Sequence, residues 1–226
     1  MQRKHTHKFA LALALLALAL QWSLAVKTAG ADPVLISEIL VDASGSDNGR
    51  TFVELAGTPG LSLSGYTLVG INGGTGDIYL TIDLSAFSIP IDGVFVAADA
   101  ASGVTEVGDA DALFEGLDPQ NGPDSVQLRL ADVIVDALGY GDFTGVFFAG
   151  EGSAAPIAPS GSSLARAFAD IDTNDNAADF AVLGTPTPGS APFSGPPPVP
   201  EPATALLLGA GLLPLVAGRF SSAVAR

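Results

Sequence analysis

Short apolar segments, several of them alternating with polar residues, are the feature that most constrains how this chain folds. Each segment has five to eight residues, and Gly, Asp, Asn, Ser and Pro are frequent between the segments. No long stretch between them has a helical period. The segments span residues 34–41, 51–55, 66–71, 78–85, 93–98, 125–130, 133–140 and 163–168. Seven or eight strands at this spacing predict an all-β fold, for which a two-sheet β-sandwich is favoured over an open barrel.

Four of the chain's segments give more detailed predictions of local structure. Residues 34–41 are apolar on nearly both faces, which is typical of a central strand, and residues 51–55 can pair with them across a polar loop. In residues 78–85, alternate side chains point to one side of the predicted strand: Ile78, Leu80, Ile82 and Leu84. The glycines of residues 70–77 predict a hairpin connection rather than a phosphate-binding loop, because the Lys of a Walker motif is missing.

The N-terminus predicts export. Arg3, Lys4 and Lys8 precede an apolar core at residues 9–20, and the small residues before Asp32 end in Ala31. This order is that of a secretory signal peptide, so we expect signal peptidase to remove residues 1–31. The alternative, a retained membrane helix, requires about 20 apolar residues, more than this core supplies.

Loss of the leader changes the chemistry available to the chain. Both histidines and all three lysines lie within residues 1–31, which leaves five arginines against 24 acidic residues, a net charge of −19. Such a charge disfavours binding to nucleic acid, which depends on cationic side chains. With no His, Lys or Cys, the predicted mature chain has no Ser-His-Asp triad, Schiff base, thiol nucleophile or imidazole-thiolate zinc site. Carboxylate chemistry and divalent cations remain.

Several segments, taken in order, resemble the lamin-tail domain of secreted bacterial proteins. They are VLISEILVD, GRTFVELAG, LSGYTLVG, DSVQLRLADVIVDALGYG, SSLARAF, DNAADF and GTPTPGS, within residues 33–190. The resemblance implies an immunoglobulin-like β-sandwich with a role in attachment outside the cell. Glu38 and Glu54 match the first two strands of that family, and Arg166 falls where the family has an arginine before an acidic loop.

One acidic loop predicts a calcium site. Residues 170–179 (DIDTNDNAAD) present four oxygen-bearing side chains close together in sequence: Asp170, Asp172, Asn174 and Asp175. Calcium binds six to eight oxygens, and a loop of this kind can supply several of them. An EF-hand would have Gly and Glu where this chain has Asp175 and Ala181, so the loop is not an EF-hand. The alternative is a solvated loop whose side chains bond their own backbone.

The C-terminus predicts a sorting tail. Residues 190–202 form a Pro-rich spacer, and residues 203–226 contain an apolar run followed by Arg219. With Pro200, Glu201 and Pro202, this arrangement resembles the PEP-CTERM signal. The resemblance implies transient anchoring in the inner membrane of a Gram-negative bacterium and cleavage by exosortase near that motif.

These observations predict four regions: a signal peptide (1–31), a β-sandwich (32–189), a spacer (190–202) and a transmembrane sorting tail (203–226). The predicted function is a non-catalytic attachment module, displayed on the cell surface or in the exopolysaccharide matrix, with no nucleic-acid partner. The alternative is a secreted hydrolase that acts on matrix polysaccharide through paired carboxylates.

Overall fold

The computed structural model describes residues 34–195. The predicted signal peptide, the Pro-Glu-Pro motif at residues 200–202 and the predicted sorting tail lie outside the described residues. Described elements are ten strands and one short helix: β1 Leu35–Leu40, β2 Phe52–Ala56, β3 Tyr66–Asn72, β4 Ile78–Asp83, β5 Val94–Ala100, β6 Ala112–Glu115, β7 Asp124–Leu130, β8 Val133–Tyr140, β9 Ser163–Arg166, α1 Asn176–Asp179 and β10 Phe180–Leu183.

The strands form two sheets. One has six strands in the order β10-β9-β1-β2-β5-β6, and the other has four in the order β4-β3-β7-β8. All pairings are antiparallel except that of β5 with β6. This confirms the predicted all-β fold and two-sheet arrangement.

The core contains apolar side chains from both sheets. Ile36, Val53 and Phe95 come from the six-stranded sheet, and Leu68 and Leu128 come from the four-stranded sheet. All five are buried. Because alternate side chains leave opposite faces of a strand, one face of each sheet supplies this core.

The eight predicted strands are all present, with ends shifted by a few residues. The antiparallel partner of β1 is β2, as residues 34–41 and 51–55 predict. The predicted hairpin at residues 70–77 joins β3 to β4. Three short elements have no counterpart in the prediction: β6, α1 and β10.

A bulge changes the predicted alternation at the start of β4. The register shifts between Gly70 and Ile71, which pair with Leu80 and Ile78, so Tyr79 is an additional residue in β4. Tyr79 packs against the core, whereas Ile78 is 55 % exposed. A position predicted to face the core is therefore on the surface, while Leu80, Ile82 and Leu84 are buried as predicted.

A C-terminal strap, which we define as residues 186–194, lies on the outer face of the six-stranded sheet. Thr187 and Ser190 close a turn in which Gly189 has a φ of 82°, the left-handed conformation that Gly after Pro supplies. Ala191 and Phe193 pack against a second apolar cluster made of Leu40, Ala43, Phe52, Val94 and Val96. The packed chain thus continues beyond Gly189, where the sequence predicts that the spacer begins.

Among the residues that the structure describes, no helix combines the length and the apolar character that crossing a bilayer requires.

Candidate functional site

A buried arginine connects the two sheets. Arg166, at the end of β9, is 2 % exposed. Its Nη2 donates to both carboxylate oxygens of Asp136 on β8, each at 3.1 Å, and its Nε donates to the Ile36 carbonyl oxygen of β1 at 3.0 Å. Charge-assisted bonds of this kind are stronger than those between neutral groups, and bonds from two different nitrogens, Nη2 and Nε, fix the position of the guanidinium.

The remaining bonds of Arg166 extend toward the acidic loop. Its Nη1 donates to Asp179 Oδ2 at 2.8 Å, to the Ile171 carbonyl oxygen at 3.1 Å and to Asp172 Oδ1 at 3.3 Å. The guanidinium also lies over the Phe180 ring, 4.5 Å from its centroid, a favourable cation–π arrangement. One cation therefore positions three carboxylates.

The strand pattern of β8 explains why Asp136 is inside the protein. Asp136 alternates with Leu138 and Tyr140 on one face of β8, and all three are buried. Its carboxylate accepts further bonds from the amides of Ile36 at 2.6 Å and of Ala137 at 2.9 Å. Four hydrogen bonds from three donor nitrogens thus compensate this carboxylate for its lost hydration.

Two loops meet beside this ion pair. Asn176, at the start of α1, accepts through its Oδ1 from the amides of Gly139 (2.8 Å) and Glu151 (2.9 Å), and its Nδ2 donates to the Ala137 carbonyl oxygen at 2.7 Å. A Cβ at Gly150 would lie 2.4 Å from the Gly139 nitrogen, so only glycine allows this close approach. The Glu151 loop is therefore held directly against β8 and α1.

These contacts produce a carboxylate cluster, which we define as Asp136, Glu151 and Asp172. One oxygen of each lies within 4.8 Å of the others. Glu151 Oε2 is buried and has no hydrogen-bond partner, although buried polar atoms are paired in most proteins. Together with Asp179, four carboxylates surround the single guanidinium. The site therefore carries excess negative charge.

The pKa values reflect this imbalance. Burial raises the pKa of Glu151 to about 7, and the charges of Asp136 and Asp172 add to the rise. Burial also raises the pKa of Asp136 to about 6, with the Arg166 guanidinium and the Ile36 amide opposing it. Desolvation works against ionised Asp179 as well, but hydrogen bonds from Thr173 and the charge of Arg166 outweigh it and lower the pKa. Protonation of Glu151 therefore relieves the excess charge readily.

The cluster has the donor chemistry of a hard-cation site. Calcium prefers carboxylate, carbonyl and water oxygens, at about 2.3–2.6 Å from the ion. Three carboxylates whose oxygens lie within 4.8 Å of one another fit that preference, and a divalent cation between them would offset the excess negative charge. Arg166 fixes Asp136 and Asp172, while Asn176 fixes the backbone at Glu151.

The structure separates the four side chains of the predicted calcium loop. Asp170 accepts from the amide and hydroxyl of Ser194 in the strap. Asp175 caps α1 by accepting from the Ala177 amide at 3.2 Å, and it also accepts from Ser153 at 3.1 Å. The Ala177 bond is of the kind that the alternative predicts, in which the loop bonds its own backbone, whereas the bonds to Ser194 and Ser153 connect the loop to other segments.

Asn174 and Asp172 complete that loop. Asn174 has a φ of 56°, which its short polar side chain tolerates. Its amide donates to Asp172 Oδ1 at 3.0 Å. Of the three predicted carboxylate ligands, Asp172 belongs to the carboxylate cluster.

Sequence reasoning missed Asp136 and Glu151. A signal for Asp136 exists, because an acidic residue on the face that carries Leu138 and Tyr140 requires a buried partner. Glu151 stands between two glycines, Gly150 and Gly152, a pattern that gives no indication of its neighbours. Its approach to Asp172 depends on how two loops meet, which is a tertiary property.

Comparison of the chain with models of known protein families, with curated proteins and with solved structures finds no match in any of the three.

Proposed function

We propose that the protein is an exported, non-catalytic attachment module in which the carboxylate cluster binds calcium. The observation that carries the proposal is the buried, unpartnered Glu151 Oε2 beside Asp136 and Asp172. A bound cation gives this oxygen a partner and neutralises part of the excess charge. Calcium levels outside cells suit sites with affinities near 10⁻⁴ to 10⁻³ M, as in other extracellular modules.

The wider assignment rests on the sequence. Resemblance to the lamin-tail domain supports an immunoglobulin-like topology for the two sheets and a role in attachment. The signal peptide and the PEP-CTERM-like tail support export, transient anchoring in the inner membrane and exosortase processing. The processed module then resides on the cell surface or in the exopolysaccharide matrix, where its negative charge and its calcium suit bridging to polysaccharide.

The geometry of the cluster does not favour the alternative of a polysaccharide hydrolase. A glycosidase places two carboxylates on either side of an accessible glycosidic bond. Asp136 is fully buried, and both of its oxygens bond to Arg166. Attack on a sugar would require this ion pair to break.

Calorimetric titration of the exported chain, residues 32–226, with CaCl₂ tests the calcium proposal. We expect saturable binding of about one ion per chain at millimolar concentration or below. Glu151→Gln removes one charge and one ligand oxygen at nearly constant volume, so it should weaken binding about tenfold or more. A titration without heat at millimolar calcium contradicts the proposal.

Glu106→Gln is the matched control. Glu106 pairs with Arg50 on the surface and is 64 % exposed, so this substitution removes the same charge outside the cluster. Calcium affinity should be nearly unchanged in Glu106→Gln. Equal weakening by both substitutions would mean that calcium responds to net charge and not to the cluster. Circular dichroism of each variant establishes that it is folded.

A further inference from the structure

Two glutamates lie directly opposite each other beneath the strap. Glu38 of β1 pairs in register with Glu54 of β2, on the outer face of the six-stranded sheet. Glu38 is 2 % exposed and Glu54 is 0 % exposed. Like charges at facing positions of neighbouring strands repel each other, and burial strengthens the repulsion.

Neutral donors hold both carboxylates. Glu38 accepts from the Ser163 hydroxyl (2.5 Å), the Thr187 amide (2.9 Å) and the Thr187 hydroxyl (2.8 Å). Glu54 accepts from the Ser37 hydroxyl at 2.6 Å and from the Gly189 amide at 2.8 Å. Three of these five bonds come from the strap, so the strap depends on the acid pair.

No cation among the described residues forms an ion pair with Glu38 or Glu54. Arg166 borders the same cleft, but its guanidinium bonds to the acids of the other site. On the far side of the strap, Asp92, Asp109 and Asp111 line a cleft together with Gly189. The strap and β10 contain no ionisable side chain. Apart from Arg166, the charged side chains described beside the pair are therefore negative.

The strap also packs less completely than a strand of the sheet would. Clefts of about 420, 340 and 450 Å³ border it, and residues such as Pro186, Gly189 and Pro192 line their walls. Its attachments are the acid pair, the Ala191 and Phe193 side chains in the second apolar cluster, a bond from the Ala169 amide to the Pro192 carbonyl oxygen at 2.7 Å, and the bonds of Ser194 to Asp170. Elements with few packing contacts are those that open locally at low cost.

We propose that the strap is a proton-operated latch, which is seated while Glu54 is protonated beside Glu38 and is released as Glu54 ionises. Release exposes both carboxylates to water, which weakens the repulsion between them. It also uncovers Leu40, Phe52 and Val96 and lengthens the connection between the sandwich and the residues that follow. The latch rests on the acid pair and is independent of the calcium proposal.

The direction of the response follows from linkage. Burial raises the pKa of Glu54 to about 7, and the neighbouring Glu38 contributes to the rise. The seated strap therefore binds a proton more tightly than the released strap, in which Glu54 returns toward its ordinary value of 4.5. A higher pH favours release, and the opening constant should increase about tenfold between pH 6 and pH 8.

Hydrogen exchange of the Thr187 and Gly189 amides in the full chain, measured by NMR, tests the latch. Protection factors remove the intrinsic pH dependence of exchange. They should fall about tenfold from pH 6 to pH 8, and they should stay below the protection of the Leu128 amide of β7 at both pH values, because the strap opens without unfolding of the sandwich. Constant protection of the strap, or strap protection equal to that of Leu128 at both pH values, would overturn the proposal.

Glu54→Gln identifies the group that titrates. A carboxamide resembles the protonated acid, so strap protection in this variant should be the same at pH 6 and pH 8. Asp170→Asn is the control, because Asp170 also bonds to the strap but has a lowered pKa. This variant should keep the tenfold pH response. If Glu54→Gln does not fold, the unaltered chain and Asp170→Asn still decide the question.

Discussion

At the scale of single residues, Arg166 illustrates how a buried charge differs from an exposed one. Arg166 is 2 % exposed and binds three carboxylates, whereas the side chain of Arg50 is 37 % exposed and pairs with one. Exposed pairs contribute at most about 1 kcal/mol. Removing one partner of a buried pair costs about 3–5 kcal/mol, because the other charge is left uncompensated.

We therefore expect Arg166→Met to lower the free energy of unfolding by about 3–5 kcal/mol, since Asp136 and Asp179 lose their cation. Arg50→Met should lower it by less than about 1 kcal/mol. Urea denaturation of both variants measures the difference. Similar small losses in the two variants would show that Arg166 does not hold the sheets together.

At the scale of elements, the strands follow from the sequence and the site does not. Strands such as β1 and β7 were predictable, because short apolar or alternating runs between turn residues seldom adopt any other secondary structure. The bulge at Tyr79 was not, since nothing local distinguishes it from its neighbours. The four-residue elements β6, β10 and α1 are too short for a periodic signal, and the approach of Glu151 to Asp136 depends on loop packing.

Asn176 is the side chain that joins those elements. Its three hydrogen bonds connect α1, β8 and the Glu151 loop. Asn176→Ala should lower the free energy of unfolding by about 1–3 kcal/mol, because buried groups lose their partners. It should also weaken calcium binding, because Glu151 is no longer fixed. Asn48→Ala, at an exposed position, should change both quantities little. Calcium titration and urea denaturation of the two variants test this role, and unchanged affinity in Asn176→Ala would count against it.

At the scale of the whole molecule, buried acids set the pH dependence of stability. The pKa values of Glu54 and Glu151 are raised to about 7, and that of Asp136 to about 6. The folded state thus binds protons more tightly than the unfolded state, and stability falls as the pH rises through this range. Glu54 alone contributes about 3 kcal/mol, present at pH 4.5 and lost by about pH 7.

We expect the melting temperature to be higher at pH 5 than at pH 8, at equal ionic strength and without calcium. Glu54→Gln should reduce this difference, because it removes one of the groups whose pKa is raised by folding. Calcium should stabilise the protein at pH 8 by binding the folded state. Scanning calorimetry at the two pH values measures each effect, and a melting temperature that rises toward pH 8 would contradict the assignment.

The proposed function requires that the module is exported, processed at both ends and displayed. Mass spectrometry of the native protein in each cell fraction tests this most directly, because it identifies both termini of the chain and the fraction that contains it. We predict a chain recovered outside the inner membrane that begins near Asp32 and ends near Pro200–Pro202. A chain found in the cytosol with residues 1–31 and 203–226 intact would contradict the account.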